Sequence, residues 1–180
     1  MKQITHQCLA VASALTLDVP PLLVLGVWAG ASLPDAIDRG LARLSCDREA
    51  AFARIHRGAS HWFGWPLALL GLLALAPYLL PPLLRSPILF AQALLGGVAY
   101  GVLSHIALDA LTPQGVPLSP FSPVRGSRGR FSLALFPTGS LREYAFLVLG
   151  LVVCAPFALS RWPAAEAFVC ELAASLGLHL

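Results

Sequence analysis

The chain has 180 residues, 57% of them hydrophobic and only 12% charged, with a formal net charge of +3. A soluble domain carries about a quarter charged residues, so water is not the main solvent of this chain. Lys2 is the only lysine, and the other basic residues are arginines concentrated in two loops, a placement that speaks to topology and excludes nucleic acid as a partner.

A membrane-spanning backbone must satisfy its own hydrogen bonds, as a helical bundle or a closed barrel does. The apolar runs here are continuous and rich in Leu, Ala and Gly, where barrel strands would alternate. The expectation is an all-α polytopic helical membrane protein, a single membrane-embedded domain over residues 1–180, with about four to five membrane segments.

The N-terminus resembles a signal peptide only superficially, since its charged region is a single lysine and His6 sits where the apolar run begins; the segment is read as part of the mature protein. The apolar stretch from Gln7 to Leu33 is interrupted by Asp18-Val19-Pro20-Pro21. The half from His6 to Leu17 reaches only ~18 Å as a helix, against a hydrocarbon core of ~30 Å. Either one kinked span buries an aspartate near its middle, at roughly 2.5–3.5 kcal/mol unless paired, or the halves form a re-entrant hairpin turning at Asp18 to Pro21. The hairpin is the reading taken.

Pro34 to His61 is polar and carries Arg39, Arg43, Arg48, Arg54 and Arg57. Trp62 to Leu84 is an apolar span punctuated by Pro66, Pro77 and the closing Pro81-Pro82. After Arg85-Ser86-Pro87 comes a third span, Ile88 to Leu111, in which Gly96-Gly97 and Gly101 offer a flat face for a neighbouring helix. Thr112 to Arg142 is a long loop rich in Pro, Ser and Gly, with Arg125, Arg128, Arg130 and Arg142. Tyr144 to Leu159 is a short apolar span. The tail from Trp162 to Leu180, with Glu166, Glu171 and His179, reads as either a last span or an interfacial helix. Arginines in the two long loops place those loops in the cytoplasm by the positive-inside rule. The four cysteines, Cys8, Cys46, Cys154 and Cys170, are far apart and show no CxxC pairing, so they read as bland buried residues.

On that topology the polar residues converge. Asp35 and Asp38 open the first loop, His56 and His61 close it, and His105 and Asp109 end the third span; a hairpin brings His6 to the same side. Asp35 and Asp38 are three apart and His105 and Asp109 four apart, which on a helix points each pair to one face. Separately these have plain readings: a helix-gluing His–Asp pair, a helix-capping Asp35, an ordinary loop in His56-Arg57-Gly58-Ala59-Ser60-His61, and a surface His179. Together, imidazole and carboxylate suit zinc, manganese, iron or nickel. With Glu143 added there are more donors than one catalytic zinc, with three protein ligands and a water, can use. The surplus points to two or three divalent metal ions, zinc first and manganese next, as used for in-line displacement at phosphorus.

At these residues the chain resembles the YdjM-type membrane-bound metal-dependent hydrolases, from His6 to about Tyr144. The likeness is carried by Thr5-His6, Leu33-Pro34-Asp35 with a second aspartate after it, the His56 to His61 segment, Ser104-His105-Ile106-Ala107-Leu108-Asp109, Leu111-Thr112-Pro113-Gln114-Gly115-Val116, and Thr138-Gly139-Ser140 leading to Glu143. The resemblance implies a multi-pass bacterial inner-membrane protein whose metal ligands fall on His6, Asp35, Asp38, His56, His61, His105 and Asp109. A looser likeness, through the early histidine and the later His-x-x-x-Asp, runs to zinc-dependent phospholipase C. The function expected is a membrane-bound hydrolase of a phosphoester or other ester, lipids included, at the cytoplasmic interface. Asp35, His61 and Asp109 are its catalytic candidates, and Arg57, Ser60, Thr112 and Glu143, with the loop arginines, its substrate-binding candidates. The expected partners are membrane lipids and a small-molecule or lipid substrate. A metal-ion transporter or sensor and a purely structural membrane protein are the rival readings.

Overall fold

The computed structural model describes residues 1–17, 19–81, 85–124, 126 and 128–175; Asp18, Pro82, Arg125 and His179, singled out above, lie outside them. Seven helices follow in chain order: α1 (Gln3–Leu15), α2 (Pro21–Gly30), α3 (Leu33–Ala42), α4 (Arg48–Ile55), α5 (Gly64–Leu79), α6 (Arg85–Ala110) and α7 (Leu141–Ser175). Local chemistry sets several boundaries. Pro21 opens α2 and Pro34 opens α3, where a missing N–H costs nothing. Asp47 caps α4 by accepting from the Ala50 amide at 3.0 Å.

α1 and α2 run antiparallel. Gln3 and Gln7, near the start of α1, both donate to Ser32 Oγ just beyond the end of α2, at 3.5 and 2.8 Å. α2 then lies along α6 at unusually close range. A Cβ on Gly26 or Gly30 would strike the carbonyl oxygen of Leu94 or Val98, and one on Gly97 or Gly101 that of Leu23 or Val27. Two glycines four apart on each helix therefore interlock, the small-residue packing that lets membrane helices touch backbone to backbone.

The chain is mostly helical. Among the described residues two helices are long and apolar enough to cross a membrane: Pro87–Ala110, with 24 residues, and Leu141–Pro163, with 23. α5 has 16 residues, about 24 Å of helix, short of a ~30 Å core. The short fourth segment and the separate tail are instead one helix of 35 residues that runs through Pro156 and Pro163. Finally, the loop after α6 contains a small antiparallel pair, β1 (Val116–Pro117) against β2 (Arg130–Phe131), and so is not purely helical or irregular. Cys8 and Cys154 are half-buried, whereas Cys46 and Cys170 are exposed.

A polar cluster is buried beside small apolar ones, and the exterior carries many large apolar side chains. Among the largest fully buried side chains are His6, His61, His105, Glu143, Thr112, Asp38 and Asp109, while Leu72, Tyr78, Leu149, Val152 and Leu159 face outward. A soluble fold has the opposite arrangement; here lipid takes the place of water outside.

The glycine interlock is testable. Gly97→Ala and Gly30→Ala should each destabilise the detergent-solubilised protein by about 1–3 kcal/mol, the usual cost of overpacking. Gly40→Ala, where nothing lies within 4 Å of the added methyl, should leave thermal unfolding unchanged or raise it slightly. Equal shifts in all three would contradict the close approach.

Candidate metal centre

Four segments bring the donors together. Asp35 stands in the first turn of α3 with Asp38 one turn on, both buried. His105 and Asp109 lie one turn apart near the end of α6, fully buried. Between them passes the segment after α4, in which Arg57 adopts a left-handed backbone (φ 61) and a single 3-10 turn, Ala59–His61, turns His61 inward. A non-glycine residue there pays about 1–3 kcal/mol in backbone strain, seen where surroundings over-determine a site. α1 supplies His6, stacked on His105 with ring centroids 3.8 Å apart.

The imidazole tautomers follow from their partners. His105 Nδ1 lies 2.7 Å from the Ala31 carbonyl, freed at the end of α2, and can only donate to it. His61 Nδ1 donates to Ser60 Oγ at 2.9 Å, and that hydroxyl donates to Asp38 Oδ1 at 2.6 Å. Both Nε2 lone pairs are thereby left pointing at one another, 3.2 Å apart. Around them, Asp35 Oδ1 is 3.4 Å from His61 Nε2 and 3.6 Å from His105 Nε2, and Asp109 Oδ2 is 3.6 Å from each. A tetrahedral ion with bonds of about 2.0–2.1 Å holds its ligands about 3.3–3.4 Å apart. The five separations above, 3.2–3.6 Å, lie close to that spacing. The Nδ1–H bonds to a carbonyl and a hydroxyl are the kind that orient metal-bound histidines.

Asp35 Oδ1 is buried and accepts no hydrogen bond. It faces His56 Nδ1 at 3.6 Å as well as the two Nε2 atoms, and His56 Nδ1 in turn lies 3.3 Å from Asp38 Oδ2. Burial alone would raise the Asp35 carboxyl, and only positive charge beside it, on the imidazoles around it or on an ion between them, holds it down. Two donor groups, His6 with His105 and Asp109, and Asp35 with His56 and His61, each gather within 4.8 Å and could hold a metal ion. The tetrahedral arrangement draws members from both, so the groups are contiguous.

The substrate-binding candidates face inward. Arg57, 3% exposed, donates from Nη2 to Asp109 Oδ1 at 2.7 Å and from Nη1 to Thr112 Oγ1 at 2.6 Å. Thr112 donates to the Asp109 carbonyl. Glu143 accepts from the Lys2 amide, Thr5 Oγ1 and the Gly139 amide at 2.8, 2.9 and 2.6 Å, tying the start of α1 to the start of α7. Of the loop arginines, Arg130 donates to the carbonyls of Gln114, Gly115, Pro123 and Arg57. These groups hold the centre in shape, where the sequence reading has them meet a headgroup; only Ser60 lines an open cavity. Asp109 Oδ1 also lies 2.9 Å from the Met1 α-amino group and 3.2 Å from His6 Nε2. Sequence reasoning had no signal for the Ala31 carbonyl, a backbone atom, or for the Arg130 clamp, since a loop arginine looks the same whether it faces a headgroup or a carbonyl.

Removing the Arg57 guanidinium takes from the buried Asp109 carboxylate the shorter of its two ion pairs, the other being with the Met1 α-amino group. Arg57→Met should destabilise chelator-treated protein by about 3–5 kcal/mol in thermal unfolding, against under about 1 kcal/mol for Arg43→Met at an exposed position. Equal effects would remove Arg57 from the centre's support.

Comparison with protein-family models matches the chain over residues 1–180 to the model described as YdjM inner membrane protein. No curated protein and no solved structure matches, and the looser likeness to phospholipase C gains nothing from the comparisons.

Proposed function

The chain belongs to the YdjM inner membrane protein family, and from that premise we propose that it is a membrane-bound hydrolase that uses two divalent metal ions, zinc first, to cleave a phosphoester or other ester at the cytoplasmic face of the inner membrane. The observation that carries this reading is the Asp35 carboxylate oxygen, buried without a donor and faced by three imidazole nitrogens. An acceptor so placed, beside two opposed lone pairs, is stabilised by a cation and by little else.

The two halves of the cluster suit different tasks. His61, His105, Asp35 and Asp109 form a closed, buried set, the pattern of a site filled by protein ligands. Asp35, Asp38 and His56 leave an open side, with His56 24% exposed, as a site that admits water and substrate must. Divalent ions held there would supply an acidified water and draw electron density from the phosphorus or carbonyl carbon that the water attacks. The chain's own groups do the remainder. Asp35 and Asp109 remain anionic, and Arg57 keeps Asp109 from turning. Asp38 is the carboxylate of the cluster that lines the neighbouring cavity, and it joins Asp35 and Asp109 as a group to take up the proton of the attacking water.

A transport route would string donors along the depth of the bilayer. In the described residues they gather at one end of α6, which favours chemistry over passage. The membrane reading keeps the α1–α2 hairpin re-entrant, with the long loops cytoplasmic. Arg39 donates to Gln3 at 3.0 Å, so cysteines placed at Gln3 and Gly40 should label from the same side of the membrane. Labelling from opposite sides would take His6 out of the site.

Elemental analysis of purified wild-type protein should find about two metal ions per chain. His105→Ala and His56→Ala should each lose one or both, together with turnover of a generic phosphodiester. Metal should leave on acidification, because bound imidazoles must be neutral and protons compete for their nitrogens. Near-zero metal in all three proteins at neutral pH would sink the proposal.

A further inference from the structure

A cavity of about 610 Å³ adjoins the cluster, reaching Asp38 and Ser60 at one end. Its volume lies within the range of pockets that enclose small ligands. The rest of its wall is almost wholly apolar, including Ile37 of α3, Leu69 of α5, and Ala99 and Val102 of α6. α6 is one of the two helices able to cross the membrane, so the cavity lies against a membrane-crossing helix. Trp65 and Phe121, 55% and 93% exposed, also line it, and such half-wet aromatics collect at membrane interfaces. Arg54 joins the wall as its one cationic side chain among the described residues. A shape that is mostly apolar, reaches a cluster of metal-ligand type and carries an arginine complements an anionic amphiphile.

We infer that this cavity seats one acyl chain of an anionic membrane phospholipid, with the headgroup ester delivered to Asp38 and Ser60. The seat for the chain stands on the cavity itself; what happens at the headgroup rests on the proposed metal centre. Of the residues above, only Asp38 and Ser60 belong to that centre, so the cavity can be filled without touching a ligand.

The test measures binding of lysophosphatidylglycerol, lysophosphatidylcholine and chain-free glycerophosphoglycerol to the full chain held in amphipol, with metal content determined on the same samples. Wild-type protein should bind one lysophosphatidylglycerol saturably and about tenfold more tightly than the zwitterionic lipid, with no binding of the chain-free compound. Ala99→Phe, and Ile37→Trp at a partly exposed position where a larger side chain does not threaten folding, should each weaken binding at least tenfold while metal content stays at the wild-type level. Arg54→Gln should abolish the preference for the anionic lipid. Wild-type affinity in both cavity-filling variants, or glycerophosphoglycerol bound as tightly as the lysolipid, would overturn the inference and leave the metal centre untouched. Loss of lipid in the variants of a protein that carries no metal would uphold the cavity and overturn the metal centre.

Discussion

Three buried carboxylates, Asp35, Asp38 and Asp109, meet four imidazoles in the interior of this protein, and the rest of the fold is arranged around the cost of burying that charge. An ionised carboxylate without compensation in an apolar medium is far too costly to persist. Asp109 is compensated by the Arg57 guanidinium, and Asp38 by Ser60 and a backbone amide. Asp35 Oδ1 has no protein donor. A divalent ion would answer that deficit and the two opposed Nε2 atoms at once, and the cluster could hold one.

The helices deliver these groups with little slack. The interlocked glycines of α2 and α6 set the spacing of two backbones, and the carbonyl that ends α2 then reaches the His105 ring at 2.7 Å. Arg130 holds the Arg57 carbonyl while the Arg57 guanidinium holds Asp109, so the loop after α6 supports the centre through a chain of charged hydrogen bonds. These are outer contacts of the kind that fix a ligand's orientation and tune its affinity. They also explain a left-handed arginine, whose strain is offset by its contacts at both ends.

Much of this was legible in the amino-acid order. The spacings Asp35 to Asp38 and His105 to Asp109 put each pair on one helical face, and the break at Asp18 to Pro21 implied that α1 turns back to bring His6 alongside. The seven residues nominated as ligands lie together. Less legible were the membrane segments, because hydropathy does not say where a helix ends: α5 stops at Leu79, and α7 continues through two prolines. Arg57, Thr112 and Glu143 were read as facing a substrate because a polar residue beside a motif carries no mark of direction. Only their partners show that they face inward.

What the sequence determined alone was the solvent and the inventory. Few charges and long apolar runs require a membrane, and histidines and aspartates confined to loop ends and helix ends require a polar interior on one side. Tertiary structure decided which lone pairs face each other, which carboxylate is left without a donor, and which arginines are turned inward. Those depend on separations of a few tenths of an ångström between segments as far apart as residues 6, 61 and 109. No local pattern encodes such distances; the backbone contact between α2 and α6 and the left-handed turn at Arg57 set them.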